Sequence, residues 1–314
     1  MAPQAILVAG ATGFQGSAVA QRLLSSGKSV HALVRNPSKP SALALQKLGA
    51  TLFQGDFDSV PSILAAAHGC DGLFILTSPT MPSASEVTHV ENIISAAKTA
   101  GIKICVFSCV ARAEAFETGF KEIYARNEFL TGYWRAKARI QEIVQEAGFE
   151  SWTILQPAWL MTNWVAPNSV GCWGEELKKK RVLINAYAEN TIVDLTDGED
   201  IATFAWVFFD KEKGWEGMEG KLVKVASEGL TISEIAKAMT DVGGVEVGVK
   251  FREMGEIEHL RPVHPIVATQ WWQRVDGTMV DFKEVKSYGL KLTPFKAFLE
   301  RNKPALLEAL GAEK

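Results

Sequence analysis

The chain has 314 residues, 47% of them hydrophobic and 22% charged, enough apolar mass for one large α/β domain or for such a domain with a smaller lobe. Its 33 Lys and Arg against 36 Asp and Glu give a formal charge of −3, without the basic excess of proteins that bind nucleic acid electrostatically. The longest apolar stretch, Ile201 to Phe209, is far short of the roughly 20 residues that span a bilayer, and no basic-then-apolar leader precedes the first apolar segment, so a cytoplasmic protein without a membrane segment is expected.

The first segment, Ala5 to Ala9, reads as a buried strand. It runs straight into Gly10-Ala11-Thr12-Gly13-Phe14-Gln15-Gly16, and a helical pattern follows through Val19, Leu23 and Leu24. Glycines in that order suit a dinucleotide. Gly10 permits the tight turn, Gly13 lets backbone N–H groups approach a pyrophosphate, and Gly16 lets the helix lie close on its strand, with the helix N-terminus attracting the phosphate charge. Spaced glycines also occur in turns that bind nothing; the place of this one, at the first strand-to-helix junction, favours a cofactor.

A second strand, Ser29 to Val34, carries His31 among apolar neighbours, where a structural side chain is expected. It ends in Val34-Arg35-Asn36, with Lys39 following. An acidic residue at this place would bind a ribose 2′-hydroxyl; cations favour a 2′-phosphate, Arg35 by a bidentate grip and Lys39 by a second charge, so NADP(H) is expected over NAD. The alternative is an exposed loop with two solvated cations.

A helix over Ala42 to Leu48 leads to a third strand, Thr51 to Gln54, ending at Gly55-Asp56-Phe57. A helix over Val60 to Ala67 leads to a fourth, Gly72 to Leu76, ending at Thr77-Ser78-Pro79. Both ends face the nucleotide in this architecture, with Asp56 able to accept from an adenine amino group, although Asp, Ser and Pro also start turns for local reasons. Further helices at Val87 to Ala100 and Tyr133 to Glu146 flank a fifth strand, Ile104 to Phe107, and precede a sixth, Trp152 to Leu155. Continuous apolar strands separated by helices predict an α/β fold with a doubly wound, Rossmann-like parallel sheet. Cys70, Cys105, Cys109 and Cys172 form no CxxC pair, and reduced thiols are expected.

Beyond Pro157 the alternation breaks down. Trp159, Met161, Trp164 and Trp173 fall in an irregular stretch, then come a strand at Thr191 to Leu195 and a helix at Ile201 to Phe209 that read as rejoining the main sheet. A strand at Leu222 to Val225, a helix at Ile232 to Met239 and a strand at Val245 to Phe251 suggest a smaller C-terminal substrate lobe. The expected division is therefore a dinucleotide-binding domain over 1–157, rejoined by 191–210, and a substrate lobe made of 158–190 and 211–314. A ligand would sit beyond the carboxyl ends of the strands. Trp159, Met161 and Trp164 would wall a flat substrate or, more simply, fill a core. Lys178-Lys179-Lys180-Arg181 reads as a solvated face. His31, His68, His89, His259 and His264 have no metal-binding spacing, so no catalytic metal is expected.

Tyr133 and Lys137 stand four apart, on one face of the predicted helix after the fifth strand. A Lys cation beside a phenol stabilises the phenolate, which suits proton transfer at a carbonyl undergoing hydride transfer. The same spacing also arises in ordinary surface helix contacts.

These residues together resemble the NmrA-like group of atypical short-chain dehydrogenases/reductases. The resemblance covers most of the chain and rests on the glycine turn, on Val34-Arg35-Asn36-Pro37 with Lys39, on Gly55-Asp56, on Lys137-Ala138-Arg139-Ile140-Gln141-Glu142, and on Gln156-Pro157 followed by Asn163. It implies a preference for NADP(H), in a group that includes reductases similar to isoflavone reductases and redox-sensing regulators with little or no activity. By the resemblance Gly10, Thr12, Gly13, Phe14 and Gln15 line the pyrophosphate, Arg35 and Lys39 the 2′-phosphate, and Lys137 the nicotinamide ribose. Tyr133 departs from many members of the group and looks more like the active dehydrogenase arrangement. Ser108 ends the fifth strand one or two residues before the usual catalytic hydroxyl, where this chain has Cys109 and Val110. The expected function is NADPH-dependent reduction of a carbonyl, imine or activated alkene of a small organic substrate, with Tyr133 and Lys137 as the catalytic pair; the alternative is a non-catalytic NADP(H)-sensing regulator.

Overall fold

The computed structural model describes residues 4–79, 83–210 and 217–312. Residues 211–216, at the head of the expected C-terminal lobe, lie outside them. In chain order the elements begin with β1 (Ala5–Ala9), α1 (Phe14–Ser25), β2 (Ser29–Val34), α2 (Pro40–Lys47), β3 (Thr51–Gln54), α3 (Val60–Ala67), β4 (Gly72–Ile75), α4 (Ala84–Thr99) and β5 (Ile104–Ser108). They continue through α5 (Lys121–Tyr124), α6 (Glu128–Glu146), β6 (Ser151–Pro157), β7 (Trp159–Leu160), α7 (Ser169–Lys180), β8 (Val182–Asn185), β9 (Ile192–Thr196), α8 (Gly198–Phe209) and β10 (Lys221–Val225). The remainder is β11 (Glu228–Thr231), α9 (Ile232–Gly243), β12 (Gly248–Phe251), α10 (Met254–Leu260), α11 (Pro265–Asp276), α12 (Phe282–Ser287), α13 (Phe295–Arg301) and α14 (Lys303–Ala309).

A seven-stranded sheet in the order β10-β6-β5-β4-β1-β2-β3 organises the first of two compact units, which runs to Phe116 and takes in Gly132–Pro157 and Gly198–Lys224. The pairings from β3 through β6 are parallel, with Ala9 opposite Leu33 on one side and Ile75 on the other. β1, β4 and β5 are wholly or almost wholly buried, which explains why they read as unbroken apolar runs rather than alternating ones. The chain leaves β3 and returns as β4 on the far side of β1. Strand order therefore reverses beside β1, the place in open α/β sheets where ligands bind.

Packing at this junction is close. α1 buries Val19, Ala20 and Leu23, and a Cβ on Gly16 would lie 2.2 Å from the Gly10 carbonyl oxygen. Gly10 itself has φ 83°, and a Cβ there would lie 2.7 Å from the Leu76 oxygen. α8 packs on α1, with the Arg22 guanidinium 4.3 Å from the Trp206 ring centre. On the outer side His31 Nδ1 lies 2.7 Å from the Ala66 oxygen and 3.2 Å from Cys70 Sγ, a structural role as its place in β2 suggests.

The second unit comprises Glu117–Thr131, Ala158–Asp197 and the chain from Val225 onward. β9 differs from its expected place. It pairs antiparallel with β11 and parallel with β7 in a separate three-stranded sheet, and the strand that joins β6 in the large sheet is β10. Val193 and Leu195 of β9 are buried in a cluster with Met161, Trp164, Trp173 and Ile232. An apolar strand pattern shows that a strand will be covered, but not which neighbour covers it. α9 begins at a capping box in which the Thr231 and Glu234 side chains each take the other's backbone N–H. The basic run at the end of α7 is spent locally: Lys180 pairs with Glu176 at 2.9 Å, and Arg181 Nε donates to the Leu310 oxygen at 3.2 Å. Among the described residues no helix is long and apolar enough to cross a membrane.

Asp194 of β9 is fully buried and accepts backbone N–H bonds from Met279 at 2.6 Å and Val280 at 3.1 Å. Burial outweighs those bonds and pushes its carboxyl up to about 6.

Two outcomes follow from this packing. Gly16→Ala forces α1 away from the Gly10 carbonyl and is expected to cost about 1–3 kcal/mol in urea unfolding; an unchanged midpoint would show that the contact is not constraining. Folded Asp194 keeps its proton up to about pH 6, whereas the unfolded group releases it near 3.8, so folding takes up a proton in that window and stability falls as pH rises through it. Unfolding midpoints measured across that range should show this fall in the native chain and not in Asp194→Asn.

Candidate functional site

At the carboxyl end of β1 the chain turns through Gly10 and enters α1 at Gly13, whose N–H donates to the Gly10 oxygen at 3.0 Å. No side chain caps α1, and its first turn has no acidic residue. The first-turn N–H groups and the positive end of the helix dipole thus face an anion without internal competition.

From this turn a cleft of about 430 Å³ extends over the ends of β1, β2, β3 and β4, lined at its head by Gly10, Thr12 and Gly13. Arg35, Lys39 and Ser41 line it after β2, and Asp56, Phe57 and Asp58 after β3. The cleft therefore gathers seven of the residues expected from sequence: Gly10, Thr12, Gly13, Arg35, Lys39, Asp56 and Phe57. Asp56 both lines it and shapes a turn, its Oδ1 accepting from the backbone N–H of Asp58 at 3.0 Å and of Ser59 at 3.1 Å. α4 holds the floor. Asn92 Nδ2 donates to the Phe57 oxygen at 2.9 Å, the His89 ring meets Phe57 edge-on at 5.7 Å, and His89 Nε2 lies 3.1 Å from Asp58 Oδ1.

Two residues of the turn send their side chains elsewhere. The Phe14 ring lies against Gly198, where a Cβ would come within 2.6 Å of its Cε1. Gln15 is buried, and its Oε1 accepts the Ser108 hydroxyl at 2.7 Å. Ser108 is thereby committed to the α1 terminus. The next residue, Cys109, is a buried thiol pushed up to about 11 by burial, so it holds its proton near neutrality.

Thr77 and Lys137 meet around a residue the sequence reading missed. Thr77 Oγ1 donates to Glu86 Oε1 at 2.7 Å, and Lys137 Nζ donates to the same oxygen at 2.6 Å. The Glu86 side chain is 1% exposed and that of Lys137 5%. The Lys137 ammonium lies 5.7 Å from the Tyr133 ring centre, and the Tyr133 ring meets Trp134 edge-on at 5.2 Å. A signal for Glu86 exists in sequence: it stands in line with Val90, Ile93 and Ala97, the buried stripe of α4, and a carboxylate on such a stripe needs a buried partner. Trp159, Met161 and Trp164 take the simpler of their two roles, with Met161 and Trp164 fully buried and Trp159 Nε1 donating to Gln273 at 2.7 Å. Among the described residues no three His, Cys, Asp or Glu side chains converge on a metal position.

A family model described as the NmrA-like family matches residues 2–289. Quinone oxidoreductase 2 of Escherichia coli (strain K12) is 25% identical over 245 residues, covering 77% of this chain and 76% of that protein. The NAD(P)H azoreductase of Xenophilus azovorans is 30% identical over 240 residues, covering 76% and 74%. Among solved structures, the NADPH complex of an Escherichia coli NADPH-dependent quinone oxidoreductase aligns with a TM-score of 0.71 at 20% identity over 95% of this chain and 99% of that one. NmrA, described as a negative transcriptional regulator and crystallised with NADP, aligns with a TM-score of 0.76 at 18% identity over 100% and 99%. These structural likenesses establish the fold.

The buried pair has a measurable consequence. Lys137→Met or Glu86→Gln alone leaves one partner buried without its counter-charge and is expected to cost about 3–5 kcal/mol, whereas the double substitution removes both charges and should cost far less than the sum. Additive losses in chemical denaturation would mean that the two groups are not coupled.

Proposed function

Because the chain belongs to the NmrA-like family, we propose that it is an NADP(H)-dependent oxidoreductase that reduces a carbonyl, imine or activated alkene of a small organic molecule. The first-turn N–H groups of α1 and the Thr12 side of the turn would hold the pyrophosphate. Arg35 and Lys39, on the same cleft wall, would hold the 2′-phosphate, Arg35 through a planar fork that matches phosphate oxygens. When bound, the reduced coenzyme supplies a hydride. Lys137 would orient the nicotinamide ribose, and Tyr133 would give a proton to the substrate atom that gains charge.

One observation carries the reading: a cleft headed by the glycine turn and walled by Arg35 and Lys39, and a Tyr–Lys pair, lie in one compact unit. The names of the relatives support the oxidoreductase class, being a quinone oxidoreductase and an NAD(P)H azoreductase. A second reading, cofactor sensing without turnover, draws support from two internal contacts. Lys137 is bound by Glu86 and Ser108 by Gln15, so two groups that could address a substrate are already engaged. A sensor requires that reduced and oxidised coenzyme favour different partner-binding states.

The test follows NADPH oxidation against a panel of quinones, azo compounds and enones. Tyr133→Phe is expected to lose turnover by about 100-fold or more while its NADPH affinity stays near that of the native chain. Arg35→Ala with Lys39→Ala is expected to weaken NADPH by about 10-fold or more and NADH little. Turnover unchanged in Tyr133→Phe would remove the phenol from the reaction, and equal losses for both coenzymes would remove the 2′-phosphate contact.

A further inference from the structure

Glu86 is a carboxylate in the interior, delivered by the buried stripe of α4 to the end of β4 and the middle of α6. Its Oε1 takes two donors at once, the Thr77 hydroxyl at 2.7 Å and the Lys137 ammonium at 2.6 Å. The pair is almost wholly out of water, so solvent screens its charges less than it would at the surface. Tyr133 is the neighbour that matters, its ring centre 5.7 Å from the ammonium.

We propose that Glu86 is a positioning residue that fixes the Lys137 ammonium and cancels its charge at Tyr133, so that the phenol enters the reaction protonated and the site is set for reduction. This rests on the oxidoreductase reading above and deepens it. An isolated ammonium beside a phenol would draw it toward phenolate, a base suited to taking a proton from an alcohol. A carboxylate in contact with that ammonium turns a point charge into a short dipole whose field falls off faster with distance, and most of the pull on the phenol is lost. A titratable group that feels both Lys137 and Glu86 is Cys109, beyond β5, whose thiol burial keeps uncharged near neutrality. Thr77, from the loop after β4, is neutral and fixes the carboxylate in place.

When bound, the reduced coenzyme would supply a hydride to the carbon of a carbonyl substrate as the C=O π pair moves onto oxygen. Tyr133 would give its hydroxyl proton to that oxygen, so that an alcohol and oxidised coenzyme would leave and the tyrosinate would recover its proton from water.

The test needs no substrate. Phenolate absorbance of the full-length chain is titrated for each variant with and without Tyr133→Phe, and the difference reports Tyr133 alone. In Glu86→Gln the ammonium is unmasked, and Tyr133 is expected to ionise about one to two pH units lower than in the native chain; an unmoved midpoint overturns the proposal. Should Glu86→Gln fail to fold, Glu86→Gln with Lys137→Met removes both charges and decides the matter, because the proposal expects Tyr133 to titrate as in the native chain. A rise of about one unit or more there would mean that Lys137 tunes the phenol on its own and would overturn it. In a chain that turns over, Glu86→Gln should also move the pH profile of kcat toward acid. Absence of any turnover with the native chain would instead remove the oxidoreductase reading, leaving the titration to judge Glu86 separately.

Discussion

The close seating of α1 on β1 is the constraint on which the candidate site depends. It exists because Gly16 has no Cβ to strike the Gly10 carbonyl and Gly10 can take a positive φ beneath the Leu76 oxygen. Seated this way, α1 presents uncapped N–H groups at the point where strand order reverses. The dipole and the unpaired donors then act in the same direction on an anion, which neither would hold as well alone. The cations after β2 lie on the wall of the cleft that begins at this turn, where they would add charge for a further phosphate and so favour one coenzyme over the other.

A second constraint is electrostatic. Placing Lys137 in the interior beside the strand ends brings a charge that water cannot solvate, and Glu86 is the group that compensates it. The compensation ties the loop after β4, α4 and α6 together through one oxygen atom. The same logic holds at Ser108, where a hydroxyl at the end of β5 is satisfied by Gln15 from the glycine turn. Thr77, Lys137, Ser108 and Gln15 are thus engaged with partners inside this unit.

Much of this was legible in the sequence, for identifiable reasons. Strands β1 to β6 are short, apolar and separated by helices, so their order and the dinucleotide turn could be read from periodicity and three glycines. Arg35, Lys39, Asp56 and Phe57 were legible because they lie in the loops that leave the ends of β2 and β3, and strand ends converge in a doubly wound sheet. β9 was not. Its apolar strand pattern was visible, but β11 and β7 claim it while β10 takes the edge of β6, and pairing partners far apart in sequence leave no local mark. His89, Asn92 and Asp58 were missed because their roles come from α4 reaching the loop after β3. Glu86 alone left a trace, as a charge on an otherwise apolar stripe.

The central claim is that the α1 terminus and the Arg35 and Lys39 wall bind a nicotinamide dinucleotide through its phosphates. Calorimetric titration of the purified native chain with NADPH and with NADH tests it most directly. The account predicts saturable one-site binding of NADPH, about tenfold or more tighter than NADH and weakening as salt is raised. No detectable binding of either coenzyme under conditions where the chain is folded would contradict it.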